Sequence, residues 1–161
     1  MKNIFVFIVG LIIIVLETFF TNYIGTYFSV NILLIFVIFI SLYIDRSYSL
    51  IITGILGLIG DLATGGIIGV TSILFLGTSY FLSSIEKSIF KDNKLIVSLL
   101  VFVVSIVYSI LDVVTASIFF MPTPILVGLL KSVVVIPISN TVVAYVLYTI
   151  FSDKLIKLRV E

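Results

Sequence analysis

The chain has 161 residues, of which 61% are hydrophobic and only 11% are charged, and its formal net charge is +1. Soluble domains carry about 45–50% apolar and about 25% charged residues, so this composition excludes a water-soluble domain and predicts an integral membrane protein. The small net charge gives no indication of a nucleic-acid partner. The chain has no cysteine and no histidine, which excludes disulfides, thiol catalysis and the commonest metal ligand. We expect no metal and no cofactor.

The first 20 residues, MKNIFVFIVGLIIIVLETFF, place one Lys before an apolar run, as a signal peptide does. They lack the small-residue cleavage site of such a peptide, because Glu17, Phe19 and Phe20 stand at that position. We therefore interpret this run as an uncleaved first span.

Apolar runs between breakers predict an all-α fold with six transmembrane helices in a single domain, residues 1–161, because a helix needs about 20 apolar residues to cross the hydrocarbon. Spans two and three are short, which indicates that protein more than lipid surrounds them. The six predicted spans are Ile4–Phe20, Val30–Ile44, Tyr48–Ala63, Ile67–Ile85, Leu95–Phe119 and Ile125–Phe151.

The segment GDLATGG, residues 60–66, decides whether the third and fourth runs form one helix or two. As one helix, the 38 residues from Tyr48 to Ile85 would extend about 57 Å, which is too long for a single crossing. Glycines break helices readily, and Asp61 and Thr64 are typical helix-capping residues. We predict two spans joined by a tight turn.

The positions of the basic residues predict the orientation in the membrane. With six spans, eight of the nine Lys and Arg residues lie on one side, and the loops TNYIGTY, GDLATGG and MPTP on the other side contain none. Basic residues collect in cytoplasmic loops. We therefore expect a multi-pass protein of the plasma membrane with both termini in the cytoplasm. The eight residues are Lys2, Arg46, Lys87, Lys91, Lys94, Lys154, Lys157 and Arg159.

Four charged residues lie within the predicted spans, namely Glu17, Asp61, Asp112 and Lys131. A rise of about 1.5 Å per residue from the span ends places all four in the outer half of the membrane. Such groups are costly in hydrocarbon and usually face the interior of the bundle or a partner. We expect Glu17 to reach the outer interface.

A polar stripe follows the fifth predicted span. Its members fall at i, i+3, i+4, i+7 and i+10, so they share one helix face, which we expect to pack against other helices or a water-filled pocket. Asp112 and Lys131 lie at matching heights on consecutive antiparallel helices, which favours an ion pair. The alternative is that Lys131 extends alone to the outer headgroups. The stripe consists of Ser105, Tyr108, Ser109, Asp112 and Thr115.

Asp61 has several interpretations: a catalytic acid, a proton or ion ligand, a contact to a partner, or a helix cap. A carboxylate just before the turn can accept N–H bonds from the start of span four, where the helix dipole favours negative charge. The chain carries no GxSxG, HExxH, P-loop or GxGxxG arrangement. We therefore predict no catalytic residue and a protein that is not an enzyme.

Small residues predict close helix approach around the same turn. We expect this surface, together with Asp61, to receive the transmembrane helix of a partner. The residues are Gly54, Gly57 and Gly60, which recur every three positions, and Gly65 and Gly69, which form a GxxxG pair. In the last span, Pro137 predicts a kink and Asn140 a hydrogen bond across helices.

Two segments resemble the rod-shape-determining MreD family, and the similarity extends over nearly the whole chain. The segment GILGLIGDLATGGIIGVTSILFLGTSYFL, residues 54–82, resembles the family signature, and IPISNTVVAYVLY, residues 136–148, is similar to the last helix of the family. The matching residues are Gly57, Asp61, Gly65, Gly69 and Tyr80 in the first segment and Pro137, Asn140 and Ala144 in the second.

The resemblance implies a scaffold or regulatory subunit of the bacterial cell-elongation (rod) complex, which controls cell shape and peptidoglycan synthesis. Its implied partners, besides the lipid bilayer, are a bitopic MreC-like protein, the synthase formed by RodA and a penicillin-binding protein, and MreB. The family is also similar in fold to the vitamin-binding subunits of energy-coupling-factor transporters, so small-molecule binding in such a transporter is the alternative function. A lipid flippase or channel that uses the Asp112 stripe is a third interpretation.

Overall fold

The computed structural model describes residues 2–24, 30–119 and 130–157. Over these ranges the chain forms six α-helices and no strand. A single 3₁₀ turn, Glu86–Ser88, follows the fourth helix, and a π-helical turn, Lys131–Val135, precedes the sixth. The helices are α1 (Lys2–Ile24), α2 (Ile32–Tyr43), α3 (Arg46–Thr64), α4 (Val70–Ile85), α5 (Lys94–Ile118) and α6 (Ile136–Lys157).

Each predicted span overlaps one of these helices, although the predicted start of the last span, Ile125, lies outside the described residues. Three described helical stretches are long and apolar enough to cross a membrane, as judged by length and composition. They are Arg46–Thr64, Lys94–Ile118 and Val133–Ser152, and two shorter apolar helices comprise Ile4–Phe19 and Ile32–Tyr43.

The turn between α3 and α4 separates two helices, as the sequence predicts. Helix α3 ends where Gly65 adopts φ = 68°, and α4 begins after Gly69 at φ = 95°. Both values lie in the left-handed region, which glycine adopts without the steric penalty of other residues. The prediction that Gly65 and Gly69 form a GxxxG helix-packing pair is therefore wrong, because neither residue lies within a helix.

Helix α2 occupies the centre of the bundle. From Leu33 to Ile44 every residue except Phe36 is buried, so protein surrounds this short span, as predicted. The same prediction is wrong for the third span. Helix α3 has 19 residues and carries a stripe of large apolar side chains that no other described residue covers. This stripe comprises Tyr48, Ile51, Ile55, Leu58 and Leu62.

Helices α3 and α4 approach each other closely at Gly57. A Cβ atom on Gly57 would lie 2.5 Å from the Cα of Ser72 in α4, which is closer than real Cβ contacts. The Ser72 hydroxyl donates a hydrogen bond of 2.8 Å to the carbonyl of Gly54. Gly57 is thus used within this chain, and the expectation that its face receives a partner's helix is wrong at this position.

At the end of the bundle opposite the α3–α4 turn, here called the Lys91 end, several hydrogen bonds converge on one residue. The hydroxyls of Tyr43 in α2 and Tyr148 in α6 donate to the Lys91 carbonyl at 2.7 and 2.6 Å. The Lys91 ammonium donates to the carbonyl of Leu42 at 2.7 Å and to the carboxylate of Glu86 at 3.2 Å. These bonds tie the connection between α4 and α5 to α2 and α6.

Candidate functional site

A cavity of about 320 Å³ lies at the end of the bundle that carries the α3–α4 turn, here called the Asp61 end. Its wall combines three carboxylates with hydroxyl groups and apolar side chains from α1 to α5. Charged and polar lining residues are Glu17, Thr18, Asn31, Asp61, Thr64, Thr71, Tyr108, Asp112 and Thr115, and the apolar ones include Ile14, Leu33, Ile67, Val70, Phe75 and Ala116.

Asp61 caps the N-terminus of α4 from the last turn of α3. Its Oδ2 accepts a hydrogen bond from the Gly69 N–H at 2.7 Å, and its Oδ1 accepts one from the Thr71 N–H at 3.3 Å. The side chain is only 3% exposed. A helix N-terminus presents unpaired N–H groups and a positive dipole end, which stabilise a carboxylate. The predicted capping contact is confirmed.

Glu17 has the same relation to α2 that Asp61 has to α4. Its Oε2 accepts a hydrogen bond from the Leu33 N–H at 2.7 Å, in the first turn of α2. The expectation that Glu17 reaches the outer interface is therefore wrong, because the free N–H groups at the start of α2 provide a partner inside the bundle. Two separate helices thus begin on carboxylates that line one cavity.

The polar stripe of α5 faces inward, as predicted. Ser105, Tyr108 and Ser109 are all buried, and Tyr108, Asp112 and Thr115 line the cavity. Asp112 is more exposed than the other two carboxylates, and it lies near enough to Asp61 for their charges to repel each other. In the described part of the chain, no donor bonds to the Asp112 carboxylate, whereas its backbone carbonyl accepts from Thr115.

The predicted ion pair between Asp112 and Lys131 stays a prediction, because the side chain of Lys131 lies outside the described residues. The backbone there forms the π-helical turn that precedes α6. Pro137 follows within two residues of the start of α6. A proline donates no N–H to the preceding turn, which is a common cause of such irregularity.

A chain of hydrogen bonds connects the cavity-lining Asn31 to two other helices. The Asn31 N–H, just before α2, donates to Oδ1 of Asn140 in α6 at 2.8 Å. The Asn140 amide then donates to the Ser105 hydroxyl in α5 at 3.0 Å. The prediction that Asn140 bonds across helices is confirmed. Asn31 also caps α2 by accepting from the Leu34 N–H at 2.6 Å.

Sequence reasoning placed Glu17, Asp61 and Asp112 at one end of the bundle, and the structure brings all three to one cavity. It did not identify Asn31 or Thr71 as members of the site. Asn31 carries a usable signal, because an Asn directly before an apolar run is a typical N-cap. Thr71 carries no such signal, since its bonds to Asp61 and Tyr108 depend on how α4 packs against α3 and α5.

Two of the carboxylates stabilise helix starts, and the described carboxylates do not form the grouping that a metal ion requires. Among the described residues, no three Asp, Glu, His or Cys side chains lie close enough together to hold a metal. The carboxylates of Glu17 and Asp61 already accept backbone N–H bonds. Each retains free acceptor positions, because an ionised carboxylate offers about four lone-pair sites.

Comparison with protein families matches residues 1–156 of the chain to the family described as rod shape-determining protein MreD. The chain belongs to the MreD family. Membership associates this MreD-family chain with the determination of rod shape and places it in the membrane. Comparison with curated proteins and with solved structures gave no match.

Of the residues that carry the MreD resemblance, Asp61 lines the cavity, and Asn140 and Gly57 act on it from outside. Asp61 and Asn140 contribute its charge and its supporting network, and Gly57 sets the α3–α4 distance on which the position of Asp61 depends. Tyr80 differs, because its exposed ring lies at the Lys91 end, 4.3 Å below the guanidinium of Arg46.

Proposed function

We propose that this MreD-family chain is a non-enzymatic scaffold or regulatory subunit of the rod complex in the plasma membrane. In this proposal all six helices cross the bilayer, both termini lie in the cytoplasm, and the Asp61 end faces outward. The chain acts there with a bitopic MreC-like protein, and the RodA synthase and MreB belong to the same assembly. The observation that carries the proposal is the family match over residues 1–156.

The distribution of polar groups supports a scaffold. Two of the cavity carboxylates cap helices, and the three buried hydroxyls of Ser41, Ser49 and Ser79 are paired with one another at 2.8–3.2 Å. Buried polar groups that are hydrogen-bonded in this way favour one fixed arrangement of helices. A rigid body with apolar outer faces is suited to holding membrane partners in place.

The exposed faces of α1 and α4 are candidates for contact with lipid or with a partner's helix. Helix α1 exposes one apolar face along most of its length. Helix α4 exposes Ile73, Tyr80 and Phe81, and Gly77 on this helix has no atom within 4 Å of its Cβ position. Small residues in such positions permit close approach of another helix.

The cavity favours a second candidate function, namely a small-molecule binding subunit of an energy-coupling-factor type transporter. Its volume of about 320 Å³ falls at the lower end of the range for ligand sites, which is about 300–1,000 Å³. Against this candidate, the outer loops are short, and α1 presents Ile, Phe, Val and Leu rather than small residues for docking a coupling subunit.

Purification of the tagged chain from its native membrane distinguishes the two candidates. Proteins that copurify are quantified against a purification of an unrelated tagged membrane protein expressed at the same level. We expect enrichment of a bitopic MreC-like protein. Enrichment of a transporter's coupling subunit and ATPases without any bitopic partner would support the transporter and contradict the scaffold.

A further inference from the structure

We propose that the cavity at the Asp61 end binds a ligand that carries an ammonium group, with Asp112 as its counter-ion. This proposal goes beyond the scaffold function and does not depend on it. The cavity, of about 320 Å³, has room for several heavy atoms and is lined both by carboxylates and hydroxyl-bearing residues and by the apolar Ile14, Leu33 and Phe75. A small amine with a short carbon body matches both kinds of wall.

The three carboxylates differ in what they already bind, and this difference selects Asp112. Asp61 accepts two N–H groups at the start of α4, and Glu17 accepts one at the start of α2. The positive ends of both helices therefore already offset these two charges. Asp112 lies in the last two turns of α5 and accepts no N–H from a helix start among the described residues.

A cation beside Asp112 would also relieve repulsion within the cavity. Asp112 and Asp61 lie near enough for their charges to interact unfavourably. In the described part of the chain, no Lys or Arg side chain lines the cavity. Like charges repel, so a positive charge bound beside Asp112 is favourable.

An ammonium group fits the remaining acceptors better than a metal ion does. An ammonium group has three N–H donors and needs three acceptors in a loose geometry. Asp112, Tyr108 and Thr115 all line the cavity, and the Thr115 hydroxyl, which donates to the Asp112 carbonyl, keeps its oxygen as an acceptor. The rings of Tyr108 and Phe75 pack at 5.5 Å between centroids, and aromatic rings attract organic cations.

Two sources supply this chemistry, a free small amine and the headgroup of an aminophospholipid. Ethanolamine chloride is a suitable probe for both, and ethylene glycol has the same size with a hydroxyl in place of the ammonium. We expect ethanolamine at about 100 mM to raise the melting temperature of the purified full chain in detergent by at least about 2 °C. Ethylene glycol with sodium chloride at matched ionic strength should leave it unchanged.

Asp112→Asn should lose the ethanolamine shift, and Asp112→Glu should retain it. Asp45→Asn is the matched control, because it removes one negative charge at the Lys91 end while Asn caps α3 as well as Asp does. A melting temperature that is higher in phosphatidylethanolamine nanodiscs than in phosphatidylglycerol nanodiscs, with the difference lost in Asp112→Asn, identifies the lipid headgroup as the source. If the two nanodisc compositions give the same melting temperature while ethanolamine still raises it, the source is a soluble amine.

Three results would overturn the proposal. The first is the absence of any ethanolamine shift in the wild-type chain. The second is a shift of equal size in Asp112→Asn. The third is a shift that appears only in Lys131→Met, because the chain's own Lys131 would then occupy the place of the cation.

Discussion

Glu17 and Asp61 show how a carboxylate can be kept inside a helix bundle with no basic partner among the residues that the structure describes. Each accepts hydrogen bonds from N–H groups at the start of a neighbouring helix, at distances down to 2.7 Å. Those N–H groups need acceptors in any case, because the first turn of a helix has none of its own. One contact therefore gives the N–H groups their acceptor and the buried carboxylate its donors. It also fixes the helix start relative to the helix that carries the acid.

The first prediction concerns Asp61. Asp61→Ala removes both acceptors and should lower the free energy of unfolding in detergent by about 2 kcal/mol, the usual contribution of a hydrogen bond to a charged group. Asp61→Asn keeps one oxygen for the Gly69 N–H, so its loss should be clearly smaller. Equal losses for the two variants would show that the negative charge, and not the acceptor, is what the fold requires.

The sequence predicted the cap at Asp61 but not the one at Glu17, for a physical reason. Asp61 precedes the helix that it caps by a few residues, so its partner is local in sequence. Glu17 caps α2 across a connection of which residues 25–29 lie outside the described chain. A partner at that distance depends on how α1 and α2 pack, which no local pattern encodes.

At the scale of helices, the contact between α3 and α4 depends on the absence of a side chain at Gly57. Helix α4 lies so close that the Cβ of an alanine would fall 2.5 Å from the Ser72 Cα. A backbone cannot move aside as a flexible side chain does. The periodicity of small residues predicted close approach correctly, but it could not show that the partner helix belongs to the same chain.

Gly57→Ala and Gly77→Ala form a matched pair of variants, one on α3 and one on α4. Gly57→Ala should lower the free energy of unfolding by about 1–3 kcal/mol, because it overpacks the α3–α4 contact. Gly77→Ala has open space around the new methyl group, and it should be neutral or stabilising by up to about 1 kcal/mol. Unfolding followed by circular dichroism checks both. If Gly57→Ala is as stable as wild type, the close α3–α4 contact is not present.

The hydrogen bonds at the Lys91 end provide a third prediction. Tyr148→Phe should lower the free energy of unfolding by about 1 kcal/mol, because it removes one donor from the buried Lys91 carbonyl. Removing Tyr43 as well should cost more than the sum, since the carbonyl then loses both tyrosine donors. Tyr48→Phe, at a side chain 53% exposed, is the control and should change stability by less than about 0.5 kcal/mol. A strictly additive double variant would contradict this shared role.

At the scale of the whole molecule, composition and the pattern of apolar runs were sufficient to predict six helices and their approximate ends. They could not predict which helix is central. Helix α2 is buried because α1, α3, α4, α5 and α6 all contact it, whereas the less apolar α3 buries one face and exposes the other. The sequence indicates the length of a span and its apolar character, whereas the position of a helix in the bundle depends on how it packs against the other helices.

The fourth prediction concerns orientation, for which the chain is convenient because it has no native cysteine. A cysteine at Gly66, on the exposed α3–α4 turn, should react with a membrane-impermeant label added to intact cells. Cysteines at Ser47 and Asn93, at the other end, should react only after the membrane is opened. Thr26 and Thr123 are expected to react from outside, although both lie outside the described residues. Labelling of Asn93 in intact cells would contradict the proposed topology.

The most direct measurement of the proposed role is the shape of cells from which the chain is depleted. Cell width and length are recorded after depletion, together with the site of new peptidoglycan incorporation, and a plasmid copy of the wild-type chain serves as the control. We expect depleted cells to widen and become round, with lateral wall synthesis lost, and the plasmid copy to restore rods. Depleted cells that keep their rod shape and lateral wall synthesis would contradict a role in the rod complex.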